Sequence, residues 1–264
     1  MLLRQALRVS LPWLCAGSAL AQPAHPPAPQ QPLPPLVSAA GDALNPAWRV
    51  VGFPKQHADI PATTFRAGTL EGQAAIRVDT DASYGTLVHD WRGPAHTLRW
   101  RWRLDQPLTG GTAPPDLMSK AGDDAALKVC VMFDHPLDRV PFMERTALRL
   151  ARGVSGENLP AATLCYVWDS GRPATLQGTN PYTRRVRFFS LKGSEAPLGQ
   201  WMAQSRNVAQ DFVTLFADEL PQGRDTPASA VPEVTSVVIG ADSDNTASRS
   251  TGWIADLQWV GGAP

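Results

Sequence analysis

The sequence predicts an all-β fold, a jelly-roll β-sandwich with two short peripheral helices. Three observations lead there. Short runs alternating apolar and polar residues recur from about residue 48 to the end. Glycine and proline punctuate the gaps between them. Only two stretches carry helical spacing, both too short to form a core by themselves.

The clearest run is Leu98-Arg99-Trp100-Arg101-Trp102-Arg103-Leu104. Side chains on a strand alternate between faces, so Leu98, Trp100, Trp102 and Leu104 share one side and three arginines share the other. A helix would scatter both sets around its circumference. Before it, Trp48–Phe53, Thr63–Gly68, Ala74–Asp79 and Tyr84–Asp90 read as strands, the third following the turn Glu71-Gly72. After it, Leu127–Phe133 and Thr163–Asp169 alternate cleanly. Arg185–Ser190 sets Val186 and Phe188 against Arg185, Arg187 and Phe189. Val234–Ala241 and Trp253–Val260 close the chain. The helical stretches are Pro141–Arg152, with Met143, Ala147 and Leu150 in register, and Asn207–Ala217, with Val208, Phe212, Leu215 and Phe216. Each is expected to lay that stripe on the edge or end of the sandwich.

The chain has 264 residues, 43% of them hydrophobic, enough for one large domain at residues 46–264. Residues 1–21 read as a signal peptide: Arg4 and Arg8 precede an apolar run, and Ala19-Leu20-Ala21 is a small-x-small cleavage site. The run is interrupted by Pro12 and too short to span a bilayer, so no transmembrane segment is expected. Cleavage after Ala21 would place the protein in the periplasm or outside the cell. Residues 22–45 hold seven prolines between Pro23 and Pro35 and read as a disordered linker.

Lys plus Arg and Asp plus Glu both number 24, so the net charge is zero and no nucleic-acid partner is indicated. Without residues 1–21 the balance is 22 basic to 24 acidic, because only Arg4 and Arg8 are lost. Cys130 and Cys165 then remain, both inside strands. They form a cross-strand disulfide if those strands are adjacent and in register, and two small buried hydrophobes otherwise.

Three places carry chemical character. Arg99, Arg101, Arg103, Lys128, Arg185 and Arg187 all lie opposite the apolar set of their strands. If those strands share a sheet, six cations share a face, and arginine's forked donors suit carboxylate, sulfate or phosphate. The alternative is a solvated face with local ion pairs. The second place is Gly240-Ala241-Asp242-Ser243-Asp244-Asn245-Thr246, whose alternating oxygen donors suit calcium. As an EF-hand it fails, with Ala247 at position six and Trp253 at position twelve. A structural calcium ion on Asp242, Asp244 and Asn245, completed by Asp256, stands against a turn whose Asp and Asn bond their own backbone. The third is Lys120-Ala121-Gly122-Asp123-Asp124, an acid/base candidate if a second carboxylate faces it across a cleft, and otherwise a turn. No G-x-S-x-G elbow, zinc spacing, phosphate loop or dinucleotide fingerprint occurs.

Several of these segments together resemble a secreted bacterial family designated only as domain of unknown function 3047. They are Lys120–Asp124 running into Leu127–Phe133, Tyr166-Val167-Trp168, Asn180-Pro181-Tyr182-Thr183, Arg206-Asn207-Val208 with Asp211-Phe212, and Asp242–Thr246. The resemblance implies a signal peptide, one domain, a galactose-binding-like sandwich and no assigned activity. It marks Lys120, Asp123, Asp124, Asn180, Tyr182, Arg206, Asn207, Asp211, Asp242, Asp244 and Asn245. It also implies that a Cys130–Cys165 disulfide would be particular to this chain.

The function expected is non-catalytic binding of a glycan, an acidic one if the arginines take part. Ligand contacts are expected from the first eight of those marked residues together with Arg101 and Arg187. No cofactor is expected beyond the structural calcium. The competing readings are a carbohydrate-active hydrolase pairing Asp123 or Asp124 with Asp211 or Asp242, and an envelope domain that docks another protein.

Overall fold

A computed structural model of the chain describes residues 31–53, 59–155 and 159–261. The expected signal peptide and the start of the linker lie outside the described residues. Two sheets face each other, as the alternation requires. One has seven strands: β1 (Arg49–Val51), β4 (Tyr84–Gly93), β6 (Leu127–Phe133), β7 (Ala162–Trp168), β8 (Gln177–Thr179), β9 (Val186–Lys192) and β11 (Val234–Asp242). Their order is β1-β4-β11-β6-β7-β9-β8. The other contains β2 (Thr64–Leu70), β3 (Gln73–Asp81), β5 (Thr97–Thr109), β10 (Met202–Asn207) and β12 (Arg249–Val260), in the order β10-β5-β12-β3-β2. All neighbours are antiparallel except β7 and β9, which run parallel. The chain is therefore an all-β sandwich.

The strand 98–104 behaves as its pattern dictates. Leu98, Trp100, Trp102 and Leu104 are buried between the sheets. Trp100 meets Tyr166 of the opposite sheet at 5.3 Å between ring centroids, and Trp102 meets Trp168 at 5.5 Å. Leu127, Val129 and Val131 of β6 and Ile76 and Val78 of β3 complete the same core. Two strands have no apolar alternation to announce them. β8 is three residues long, and β10 is a half-exposed edge strand of polar sequence.

The helices are α1 (Phe142–Ser155) and α2 (Val208–Phe216). α2 buries Val208, Phe212 and Phe216, with Phe212 stacked on Phe216 at 4.7 Å, as its stripe predicts. α1 does the reverse. Met143 and Leu150 of its expected inner stripe are 75% and 69% exposed, and Leu148 is buried instead.

The linker expected over residues 22–45 is corrected from Gln31 onward. Leu33, Leu36 and Val37 are buried in the main core, and Val37 bridges Leu44. Proline lacks an N–H but keeps its carbonyl acceptor. Trp48 Nε1 uses the Pro34 oxygen at 3.3 Å, and Trp91 Nε1 uses that of Gln31 at 2.7 Å. Three apolar side chains and two indole donors fasten a segment that composition alone marks as loose.

Candidate functional site

Cys130 and Cys165 are register partners on β6 and β7 and form a disulfide. The bridge lies on the outer face of the seven-stranded sheet, with Val88, Val167, Phe188 and Val238 around it. Three loops meet beside it: Lys120–Asp124, Asn180–Thr183 and Asp242–Thr246. Their contacts bring eight of the marked residues together.

Asp124 is the anchor. It is buried and accepts hydrogen bonds from Thr246 N at 2.7 Å, Thr246 Oγ1 at 2.5 Å and Asn245 N at 3.2 Å. It ties the Lys120–Asp124 turn to the Asp242–Thr246 loop. The Lys120–Asp124 turn is closed so tightly that a Cβ on Gly122 would lie 2.5 Å from Asp116 N. Asp123 accepts from the Asn180 amide, while Asn180 Oδ1 accepts from Tyr182 N at 2.9 Å and Thr183 N at 3.2 Å. That Asx turn presents Tyr182 outward. The Tyr182 hydroxyl shares its proton between Asn245 Oδ1 at 2.9 Å and Lys120 O at 3.0 Å, and the Lys120 ammonium lies over its ring at 5.2 Å. Tyr182 is nevertheless 57% exposed.

Behind this surface, Asp123, Asn180, Asp242 and Lys128 line a cavity of about 50 Å³ against Cys165. In the sequence Lys128 stands out only as part of a cationic face; its donation to Asp242 Oδ2 at 2.5 Å places it in this site. Its position opposite Gly240 is the usable sign, because a Cβ there would lie 2.9 Å from Lys128 Cε. Burial opposes the Lys128 ammonium, but Asp242, Tyr84 and Asp123 outweigh it and hold its pKa above the ordinary lysine value. Burial and the Asp242 charge push Asp123 up to about 6, and burial with Asp242 and Asp124 pushes Asp244 up to about 6. Burial raises Asp242 itself, against the pull of Lys128.

The remaining expected residues go elsewhere. Asp256 is not beside Asp242. It occupies the left-handed region (φ 55°) in β12 and accepts from Arg101 Nε at 2.6 Å on the outer face of the five-stranded sheet. Asp tolerates that backbone better than most residues. Among the described residues no group of three His, Cys, Asp or Glu is arranged to hold a metal ion. Arg206 and Asp211 form a tie of their own: Arg206 Nε donates to Asp211 at 2.9 Å and the Tyr166 hydroxyl donates to it at 2.7 Å. Burial and the Asp211 charge raise the Tyr166 pKa. Asn207 caps α2 through Gln210 N at 3.1 Å.

The six cations do not share a sheet face. Arg99, Arg101 and Arg103 belong to β5, while Lys128 lies on the outer side of the other sheet. β9 is also inverted relative to its expected facing. Val186 and Phe188 join the outer cluster around the disulfide, while Phe189 and Leu191 turn to the core. Arg187 is buried against Asp218 and Glu219, and Arg185 donates to Glu219 and, at 2.8 Å, to Glu144. Buried arginines that find carboxylates can replace apolar residues on an inner face.

A groove of about 540 Å³ lies beside the loop cluster, between α1 and residues 180–186. Asn180, Pro181, Tyr182 and Thr183 form one wall, and Ala147, Leu148 and Ala151 the other.

The three converging loops are among the segments that carry the family resemblance. The family described as "Protein of unknown function (DUF3047)" matches residues 46–258. The chain belongs to that family. No curated protein matches it. Among solved structures it is similar to the K2 cleaved adhesin domain of Lys-gingipain, at 9% identity and a TM-score of 0.37, covering 88% of this chain and 100% of that one. Membership in DUF3047 assigns no ligand.

Proposed function

We propose that this DUF3047 protein is a non-catalytic binding domain whose ligand is a glycan held at Tyr182. The observation that carries the reading is a rigid, exposed aromatic. Tyr182 is fixed by bonds to Lys120 and Asn245, yet more than half of its surface stays open beside the groove. Such a ring offers a flat apolar face for the C–H side of a sugar. Asn180, Thr183 and Arg184 supply polar neighbours, and the opposite wall presents Ala147, Leu148 and Ala151 together with Glu144, which is paired with Arg184 and Arg185. Few polar groups in a mostly apolar recess is the usual make-up of a small-molecule site.

A hydrolytic role has one observation in its favour, the raised carboxyls of Asp123 and Asp244. The cavity that Asp123 and Asp242 line is about 50 Å³, room for about one or two waters. A sugar ring does not fit there, which favours binding over cleavage. An exported protein is consistent with the basic, apolar N-terminus, the Ala19-Leu20-Ala21 site and a disulfide, which persists in oxidising compartments.

A glycan array probed with the wild-type protein and Tyr182→Ala tests the reading. Defined glycans retained by the wild type and lost by the variant are expected. An array with no bound glycan, or equal retention by both proteins, would overturn it.

A further inference from the structure

Helix α1 spends its apolar side chains on solvent. Of its 14 residues, Phe142 is 68% exposed, Met143 75% and Leu150 69%, while Leu148 is its buried anchor. An amphipathic helix normally turns its apolar stripe to the core. At about 100° per residue, Phe142, Thr146 and Leu150 form one ridge, Met143 lies beside Leu150, and Arg145 and Arg149 form the flanking ridge.

The charges on α1 are sorted in the same way. Its one acid, Glu144, is turned inward, with Arg184 at 3.2 Å and Arg185 at 2.5 Å. Arg152 also turns inward and donates to Leu159 O at 2.8 Å. Arg145 lies 5.8 Å from the Phe142 ring, and among the described residues neither Arg145 nor Arg149 has a carboxylate partner. The outward face is thus apolar along its centre, cationic along its flank and free of acid.

We propose that the outer face of α1 docks on the surface of an anionic lipid bilayer. Phe142, Met143 and Leu150 enter the boundary between headgroups and acyl chains, and Arg145 and Arg149 meet lipid phosphates. Apolar insertion together with cation–phosphate contact is how interfacial helices bind. The helix lies on the surface and does not cross, since no helix among the described residues is long and apolar enough to span a membrane. A second copy of this chain is the poorer occupant, because a two-fold contact would set arginines against arginines. The inner side of α1, which walls the groove beside Tyr182, is left free by this contact.

Flotation of the full chain with phosphatidylcholine vesicles, with and without phosphatidylglycerol, tests the proposal. Two double variants accompany it: Phe142→Ser with Leu150→Ser, and Arg145→Gln with Arg149→Gln. Phe142, Arg149 and Leu150 are exposed and Arg145 is half-buried against the Phe142 ring, so melting temperatures should change little. The wild type should float with the anionic vesicles and bind neutral ones about tenfold more weakly, and each variant should lose about tenfold on the anionic vesicles. Three results would overturn the proposal: no flotation of the wild type, undiminished flotation of the serine variant, or self-association that the serine variant abolishes.

Discussion

Glu219 can hold a charge in the interior because three cationic or hydrogen-bonding partners reach it. Burial alone would raise its pKa, but Arg185, His135 and Arg187 outweigh burial and bring it down to about 2 from an ordinary value of 4.5. A depressed carboxyl contributes stability above its unfolded pKa and loses it as pH falls through the folded one. Acid unfolding should therefore draw on this group between about pH 4.5 and 2, for about 3 kcal/mol. Glu219→Gln, which leaves Arg185 only Glu144 and Arg187 only Asp218 as carboxylate partners, should cost about 3 kcal/mol at pH 7, read by urea titration. Asp123 runs the other way. Its carboxyl is raised to about 6, so the native state holds more protons than the unfolded chain between pH 4 and 6, and stability falls as pH rises through that window. Asp123→Asn keeps an acceptor for Asn180 and sheds the charge. It should gain about 1 kcal/mol above pH 6, after allowance for solvent screening, and nothing at pH 3. An unchanged pH profile would show that Asp123 is not strained by its neighbours. Neither role was readable in the sequence. Glu219 has no motif around it, and its partner arginines looked like surface charge because alternation alone cannot tell which face of β9 is inside.

At the level of elements, the alternation of β5 was readable in full, since its two tryptophans leave one face no choice but the core. Trp102→Ala should cost about 3–5 kcal/mol, visible as a large loss in denaturation midpoint. α2 is equally plain in its stripe. Asn207, a ligand-contact candidate in the sequence, is the N-cap of α2, so Asn207→Ala should cost about 1 kcal/mol of stability, and a glycan-binding assay on the same variant reads any second role. α1 shows the limit of periodicity. Met143, Ala147 and Leu150 make a genuine stripe, but periodicity reports that a face exists and not what covers it. The Asp242–Thr246 loop shows the same limit for ligands. Its alternating oxygens read as a calcium site, whereas the ammonium that answers Asp242 comes from β6, more than a hundred residues earlier. With Lys128 already answering Asp242, equal melting temperatures in millimolar calcium and in chelator are expected, and a rise of several degrees with calcium would show that the loop holds the ion.

Across the whole molecule, the two-sheet architecture follows from pattern, and the family's motifs mark the residues of the three loops without saying that the loops converge. Pairing between distant strands does not follow from either. The neighbours β6 and β7, which put Cys130 opposite Cys165, are joined through α1, and a one-residue slip would have separated the thiols. The sorting of the arginines into two sheets has the same origin: face is a local property, and sheet membership a global one. It also moves the expected binding surface. The arginines of β5 are occupied, Arg101 by Asp256 and Arg103 by Glu71 and Asp105, on the sheet opposite the loop cluster. Tyr182, and not the arginine strand, therefore carries the proposed ligand contact. The direct test is calorimetric titration of a glycan drawn from the array into the wild type, Tyr182→Ala and Arg101→Ala. The prediction is that Tyr182→Ala alone weakens binding, by about tenfold or more, as expected for a buried aromatic contact. Full affinity in Tyr182→Ala, or loss in Arg101→Ala instead, would contradict it.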